Sequence, residues 1–108
     1  MNRADAINRA LDYYDRGENG YFHALGELCA IPTESQNPAR LPEMRQYLDE
    51  AMIPRFEALG YSSKVYDNPI PGCGPVLLAT RIEDASLPTI LCYGHGDVVL
   101  GMEGRWQN

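Results

Sequence analysis

An α/β domain with its helices ahead of its strands is the expectation for this chain. Three observations lead there. Apolar residues recur at helical spacing as far as Leu59. After Gly60 they gather in short runs of the kind that form strands. The last run, "TILCY", stops at Gly94-His95-Gly96-Asp97, and α/β sheets bind ligands just beyond the carboxyl ends of their strands.

The first helix follows from Ala4, Ile7, Leu11 and Tyr14, with Asn2 as its N-cap and Gly17 as a stop. A second helix covers 20–30, with Phe22, Leu25, Leu28 and Cys29 on one face. Ile31-Pro32 ends it, because proline disfavours a helical residue before it. "TESQNPAR" reads as a polar loop. The third helix covers 41–59, where Leu41, Met44, Leu48, Met52, Phe56 and Leu59 keep a three-to-four residue rhythm. Pro42 suits its first turn and Gly60 the position just past its end. Pro54 removes a backbone donor, so a kink or a split is expected there.

Beyond Gly60, "YSSKVYD" alternates weakly as a strand, and "NPIPGCGP" is a Pro- and Gly-rich loop. "VLLATRI" is a strand and "EDASLP" a polar connection. "TILCY" lacks polar alternation and reads as a strand buried on both faces, as in mid-sheet. Three helices and three strands make an unfinished sheet. The expectation is a single incomplete domain over 1–108, belonging to something longer.

Composition narrows the function classes. The apolar fraction is 44% and the charged fraction 22%, as in globular proteins. The formal charge is −6, with acidic residues scattered along the chain. That argues against a nucleic-acid partner, which needs clustered Lys and Arg. No apolar run reaches the ~18 residues of a membrane span, and the N-terminus lacks the apolar core of a secretory signal. No membrane partner and a cytoplasmic location are therefore expected. Cys29, Cys73 and Cys92 form neither a disulfide framework nor a close metal pair. Cys92 is expected to be a small buried residue rather than a nucleophile, since no base lies beside it in sequence.

The chemistry lies at His95 and Asp97. In an extended backbone, residues two apart point to the same side, so both side chains would face one cavity. A metal-bound imidazole needs its other ring nitrogen held by an acceptor, which fixes tautomer and orientation. Asp97 could do this directly or through the local backbone, or both side chains could bind metal. The bland alternative is a polar loop in which the two side chains cap each other.

"LCYGHGDVV" resembles the first metal-ligand motif of the zinc-dependent peptidase and deacylase family, in which an apolar strand is followed by Gly-His-x-Asp-Val-Val. That family includes acetylornithine deacetylase, succinyl-diaminopimelate desuccinylase, aminoacylase and glutamate carboxypeptidase. Upstream, "YFHALGELCAIPTES" resembles its helix ending in an Ile-Pro-Ser/Thr turn. "LPEMRQYLDEAMIPRFEALGYSSKVYD" resembles its helix, Leu-Gly turn and first strand. "GPVLLATRIEDASLPTILCYGHGDVV" resembles the strand pair leading to the metal. The resemblance implies the N-terminal part of a three-layer α/β/α catalytic domain, with helices followed by the first strands of a mixed sheet. It makes His95 a zinc ligand and Asp97 the catalytic-site acid that supports it. Gly96 stands where many relatives have a larger residue, and Leu100 where many have proline.

The family's bridging aspartate, paired glutamates, further acidic ligand and final histidine lie downstream of this motif, as does its dimerisation domain. The resemblance thus implies a parent that holds two zinc ions and hydrolyses amide bonds in peptides or N-acyl amino acids, with a glutamate outside this chain as proton acceptor. One histidine cannot fill a site needing three or four protein ligands. The 108 residues alone are expected to bind zinc poorly and hydrolyse nothing. The alternative is a stand-alone, non-catalytic α/β module that binds a protein partner or forms a homo-oligomer through an open sheet edge.

Other polar residues carry plainer expectations. His23 lies off its helix's apolar stripe and reads as solvated. Glu34 reads as a turn residue near enough to reach a site, and Glu83 and Asp84 as solubilising charges. Tyr13, Tyr14, Tyr21 and Tyr47 read as core or rim packing. By the resemblance Arg105 and Trp106 belong to a loop near the active-site entrance; the plainer alternative is that they are frayed.

Overall fold

The computed structural model describes residues 2–102, 104 and 105. The chain divides into two compact units, Met1–Ile31 and Pro32–Asn108.

The first unit holds two helices, α1 (Arg3–Tyr14) and α2 (Tyr21–Cys29), joined through a 3₁₀ turn at Gly17–Asn19. Asn2 caps α1: its Oδ1 accepts from the Asp5 amide at 2.9 Å, satisfying one of the donors a helix start leaves open. The α2 helix stops short of Pro32, as the restriction on the residue before proline requires. Tyr14, Tyr21 and Phe22 meet at ring-centroid distances of 5.0–6.0 Å. Tyr13 is exposed. His23 is half-exposed, with Nε2 3.4 Å from Glu27 Oε1, one helical turn on.

The second unit positions the site. Asn37 caps a 3₁₀ turn, Pro38–Arg40, accepting from the Ala39 amide at 3.1 Å. The helix expected over 41–59 follows as three joined pieces. The α3 segment (Leu41–Gln46) widens into a π-helical stretch, Tyr47–Met52, which returns to α-helix in α4 (Ile53–Ala58). Pro54 explains the widening. It has no N–H to give the carbonyl four residues back, and its ring would crowd that carbonyl. The wide stretch spaces its bonds five residues apart, as where the Ile53 amide donates to the Leu48 carbonyl. The Arg55 guanidinium donates to the Ala51 carbonyl at 2.7 Å.

Gly60 then ends the helix at φ 82°, in the left-handed region. The Gly60 amide donates to Glu57 O and the Tyr61 amide to Phe56 O, at 2.9 and 3.0 Å. That pair of bonds is a Schellman motif. Its customary apolar contact is present as an edge-to-face pair between Phe56 and Tyr61, centroids 5.5 Å apart. Leu59, expected on the apolar stripe, is instead exposed.

The strands β1 (Ser62–Tyr66) and β2 (Val76–Thr80) pair antiparallel, from Ser62↔Thr80 to Tyr66↔Val76. Exposure alternates along both, so Ser63, Val65, Leu77 and Ala79 form the more covered face, and α4 packs near β1. Met44 and Ala51 are buried, as is Thr33 at 1% exposure. Helix and sheet are both present, in keeping with a broadly α/β chain, and the sheet is a two-stranded antiparallel ladder.

The third strand is corrected. Residues 89–93 pair in no ladder among the described residues. Far from being covered on both faces, Ile90, Leu91 and Tyr93 are 84%, 89% and 90% exposed. Cys92, expected to be buried, is exposed too. A strand buried on both faces needs neighbouring strands and a layer on each side, and the two-stranded ladder supplies neither here. "EDASLP" is a turn held by Asp84, whose Oδ1 accepts from the Ser86 amide and hydroxyl at 2.8 and 2.7 Å. Those bonds hold the Asp84 carboxyl below its usual range, the amide bond first. Glu83 pairs with Arg81. Among the described residues no helix is long and apolar enough to cross a membrane.

Candidate metal-ligand site

The site forms where the loop after Pro32 runs beside the His-Gly-Asp stretch. Glu34 and Val98 make an isolated parallel bridge, and the Val98 amide donates to the Thr33 carbonyl at 3.1 Å. The Thr33 hydroxyl donates to the Gly96 carbonyl at 2.6 Å. Glu34 ties down both flanks. Its Oε1 accepts from the Gly101 amide at 2.9 Å, and its Oε2 from Arg40 Nε at 3.4 Å. The turn expected at Glu34 is formed by its backbone, the Asn37 amide donating to the Glu34 carbonyl at 2.9 Å, while the side-chain ties add a role beyond it. Arg40 also donates to Glu43 Oε1 at 2.8 Å, which holds the Glu43 carboxyl below its usual range.

These backbone ties aim the two residues singled out in the sequence. His95 Nδ1 lies 2.7 Å from Asp97 Oδ1. Asp97 Oδ2 accepts from the Ser35 hydroxyl at 2.8 Å. The Ser35 bond first, and the His95 bond second, hold the Asp97 carboxyl below the usual carboxylate range. Asp97 is therefore an anion at neutral pH, placed to accept a proton-bearing Nδ1. In the neutral ring that tautomer leaves the Nε2 lone pair as the metal-ligating or acceptor position.

His95 and Asp97 both line a cleft of about 660 Å³. Met44, Tyr47, Leu48 and Phe56 also line it, as do four consecutive residues of β2 and residues 90–93. Gly96 sits against Tyr47, and a Cβ built there would fall on the Tyr47 ring. A residue larger than glycine has no room there unless Tyr47 moves.

The donor set decides how far a metal fits. Zinc takes three or four protein ligands in a structural or catalytic site. Among the described residues no group of three His, Cys, Asp or Glu is placed to hold a metal ion. The described residues fall short of that donor number, with His95 Nε2 as the position left open for a ligand role. Arg105 is in a turn, its amide donating to Met102 O at 3.0 Å. Trp106 lies outside the described residues.

Ser35, Thr33 and Tyr47 were not singled out as site residues in the sequence. Thr33 and Ser35 are two residues apart, as are His95 and Asp97, but that spacing alone does not pair the two segments. Protein-family models, curated proteins and solved structures yield no match to the chain. The resemblance to zinc peptidases and deacylases rests on the quoted motifs alone.

Proposed function

We propose that His95 is one ligand of a zinc site whose remaining ligands come from outside these residues, in an enzyme that hydrolyses amide bonds of peptides or N-acyl amino acids. Asp97 orients His95 through Nδ1, and Ser35 orients Asp97. The surrounding chain is then the first part of a three-layer α/β/α catalytic domain. One observation carries the reading: His95 is held at Nδ1 by a carboxylate that is itself held by a hydroxyl, with the cleft beside them. A polar loop needs only the first of those bonds, whereas a ligand imidazole benefits from the whole chain of them.

Zinc added to the 108-residue chain while long-range ¹H–¹⁵N spectra follow both histidines tests this. The expected result is weak binding that perturbs His95 Nε2 before either nitrogen of His23. Perturbation of His23 alone would remove His95 as a ligand. Submicromolar stoichiometric binding that disappears in His95→Ala would show that the site is complete without outside residues.

A second reading, a non-catalytic module that binds a partner or its own copy, is favoured by the exposure of Ile90, Leu91 and Tyr93.

A further inference from the structure

The cleft has the makings of a slot for one additional β-strand. Val76, Leu77, Leu78 and Ala79 all line it, and so do Ile90, Leu91, Cys92 and Tyr93. Side chains alternate between faces along a strand. Four consecutive residues of β2 lining one cleft is what a strand edge turned that way gives. Among the described residues β2 pairs with β1 alone, which leaves that edge without a strand beside it. Residues 90–93 likewise line the cleft consecutively and have no ladder partner among the described residues. The floor is apolar, with Met44, Leu48 and Phe56 from the helix. An occupant that satisfies two unpaired backbones over an apolar floor is an extended apolar peptide segment.

The chain itself displays such a segment. Thr89-Ile90-Leu91-Cys92-Tyr93 carries no charge and is rich in strand-forming residues. Its large side chains are almost fully exposed. Acceptor slot and donor strand on one molecule make a self-complementary pair, which a two-fold axis closes.

We propose that two copies of this chain dimerise by reciprocal strand insertion. The partner's 89–93 segment enters the slot between β2 and residues 89–93 of the first copy, and the first copy's segment enters the partner's slot. The strand order across the dimer is then β1, β2, the partner's segment, the first copy's segment, the partner's β2 and the partner's β1. The two segments meet antiparallel at the axis, every slot is filled, and the assembly stops at two. This deepens and rests on the self-association reading, since a completed three-layer domain would cover 89–93.

Sedimentation velocity of the 108-residue chain over about a hundredfold concentration range, with hydrogen exchange on the same samples, tests it. The expected result is a monomer–dimer equilibrium, with amides of 76–80 and 89–93 becoming protected as dimer forms. Leu91→Lys and, separately, Ile90→Lys change exposed side chains and so leave the monomer's far-UV spectrum intact. Each is expected to weaken association at least tenfold, or about 1.4 kcal/mol. A monomer at every concentration would overturn both the insertion and the self-association reading. A dimer indifferent to both lysines, or one without protection at 89–93, would overturn the insertion alone. Growth beyond the dimer would overturn the closed arrangement.

Discussion

At the scale of single residues, Asp97 is held from two sides, by the Ser35 hydroxyl and by His95, and its carboxyl lies below the usual range for that reason. A carboxylate depressed by folding stabilises the folded loop at pH above the unfolded carboxylate range. That contribution is lost as pH falls through the lowered folded value. Ser35→Ala removes the larger of the two causes. It is expected to move the Asp97 midpoint upward, towards an ordinary carboxylate, in a ¹³C titration through the acid range. His95→Ala should move it up by less. A midpoint that stays put in Ser35→Ala would mean that the hydroxyl does not hold the carboxylate in solution. Gly96 makes a second test of the same loop, because a side chain there meets the Tyr47 ring. Gly96→Ala and Tyr47→Leu should be coupled by roughly 0.5–3 kcal/mol in a denaturation cycle, as for residues in contact. Additive effects would separate the two residues. The pairing of His95 with Asp97 was legible from their spacing. The Ser35 and Thr33 bonds were not, since they span more than sixty positions of chain and nothing local marks one end as the partner of the other.

At the scale of elements, local chemistry was the readable part. Asn2 caps its helix, Gly60 takes the left-handed turn and Pro54 interrupts the long helix, because each acts on backbone within five residues of itself. The hairpin strands were readable for the same reason: period-two alternation is local, and β1 and β2 show it in their exposure. Failure came where the outcome depends on partners far along the chain. An apolar run of five residues does not specify whether strands stand beside it, and 89–93 stands exposed. The Gly60 turn can be measured directly. Among the described residues only Arg81 Nε, at 3.8 Å, would approach a Cβ placed there, so Gly60→Ala meets backbone strain without a clash. A left-handed alanine should cost roughly 1–2 kcal/mol of stability in a urea titration. A neutral result would imply that the helix end relaxes out of the Schellman turn.

At the scale of the whole molecule, charge and apolar exposure act in opposite directions. Each copy carries a formal charge of −6, so two copies repel while the uncharged 89–93 segments draw them together. The repulsion reaches across about 30 Å at 0.01 M salt and about 8 Å at physiological ionic strength. The inserting 89–93 segment carries no charge, so its insertion involves no ion pair that salt would weaken. Added sodium chloride should therefore tighten the dimer, with the dissociation constant falling steadily from low to physiological ionic strength. The opposite slope, weaker association as salt rises, would show that complementary charges hold the copies together, and the insertion through 89–93 would not then be what joins them. Sedimentation at several salt concentrations distinguishes the two, because screening acts on the net charge of both copies whereas insertion depends on apolar burial and backbone pairing.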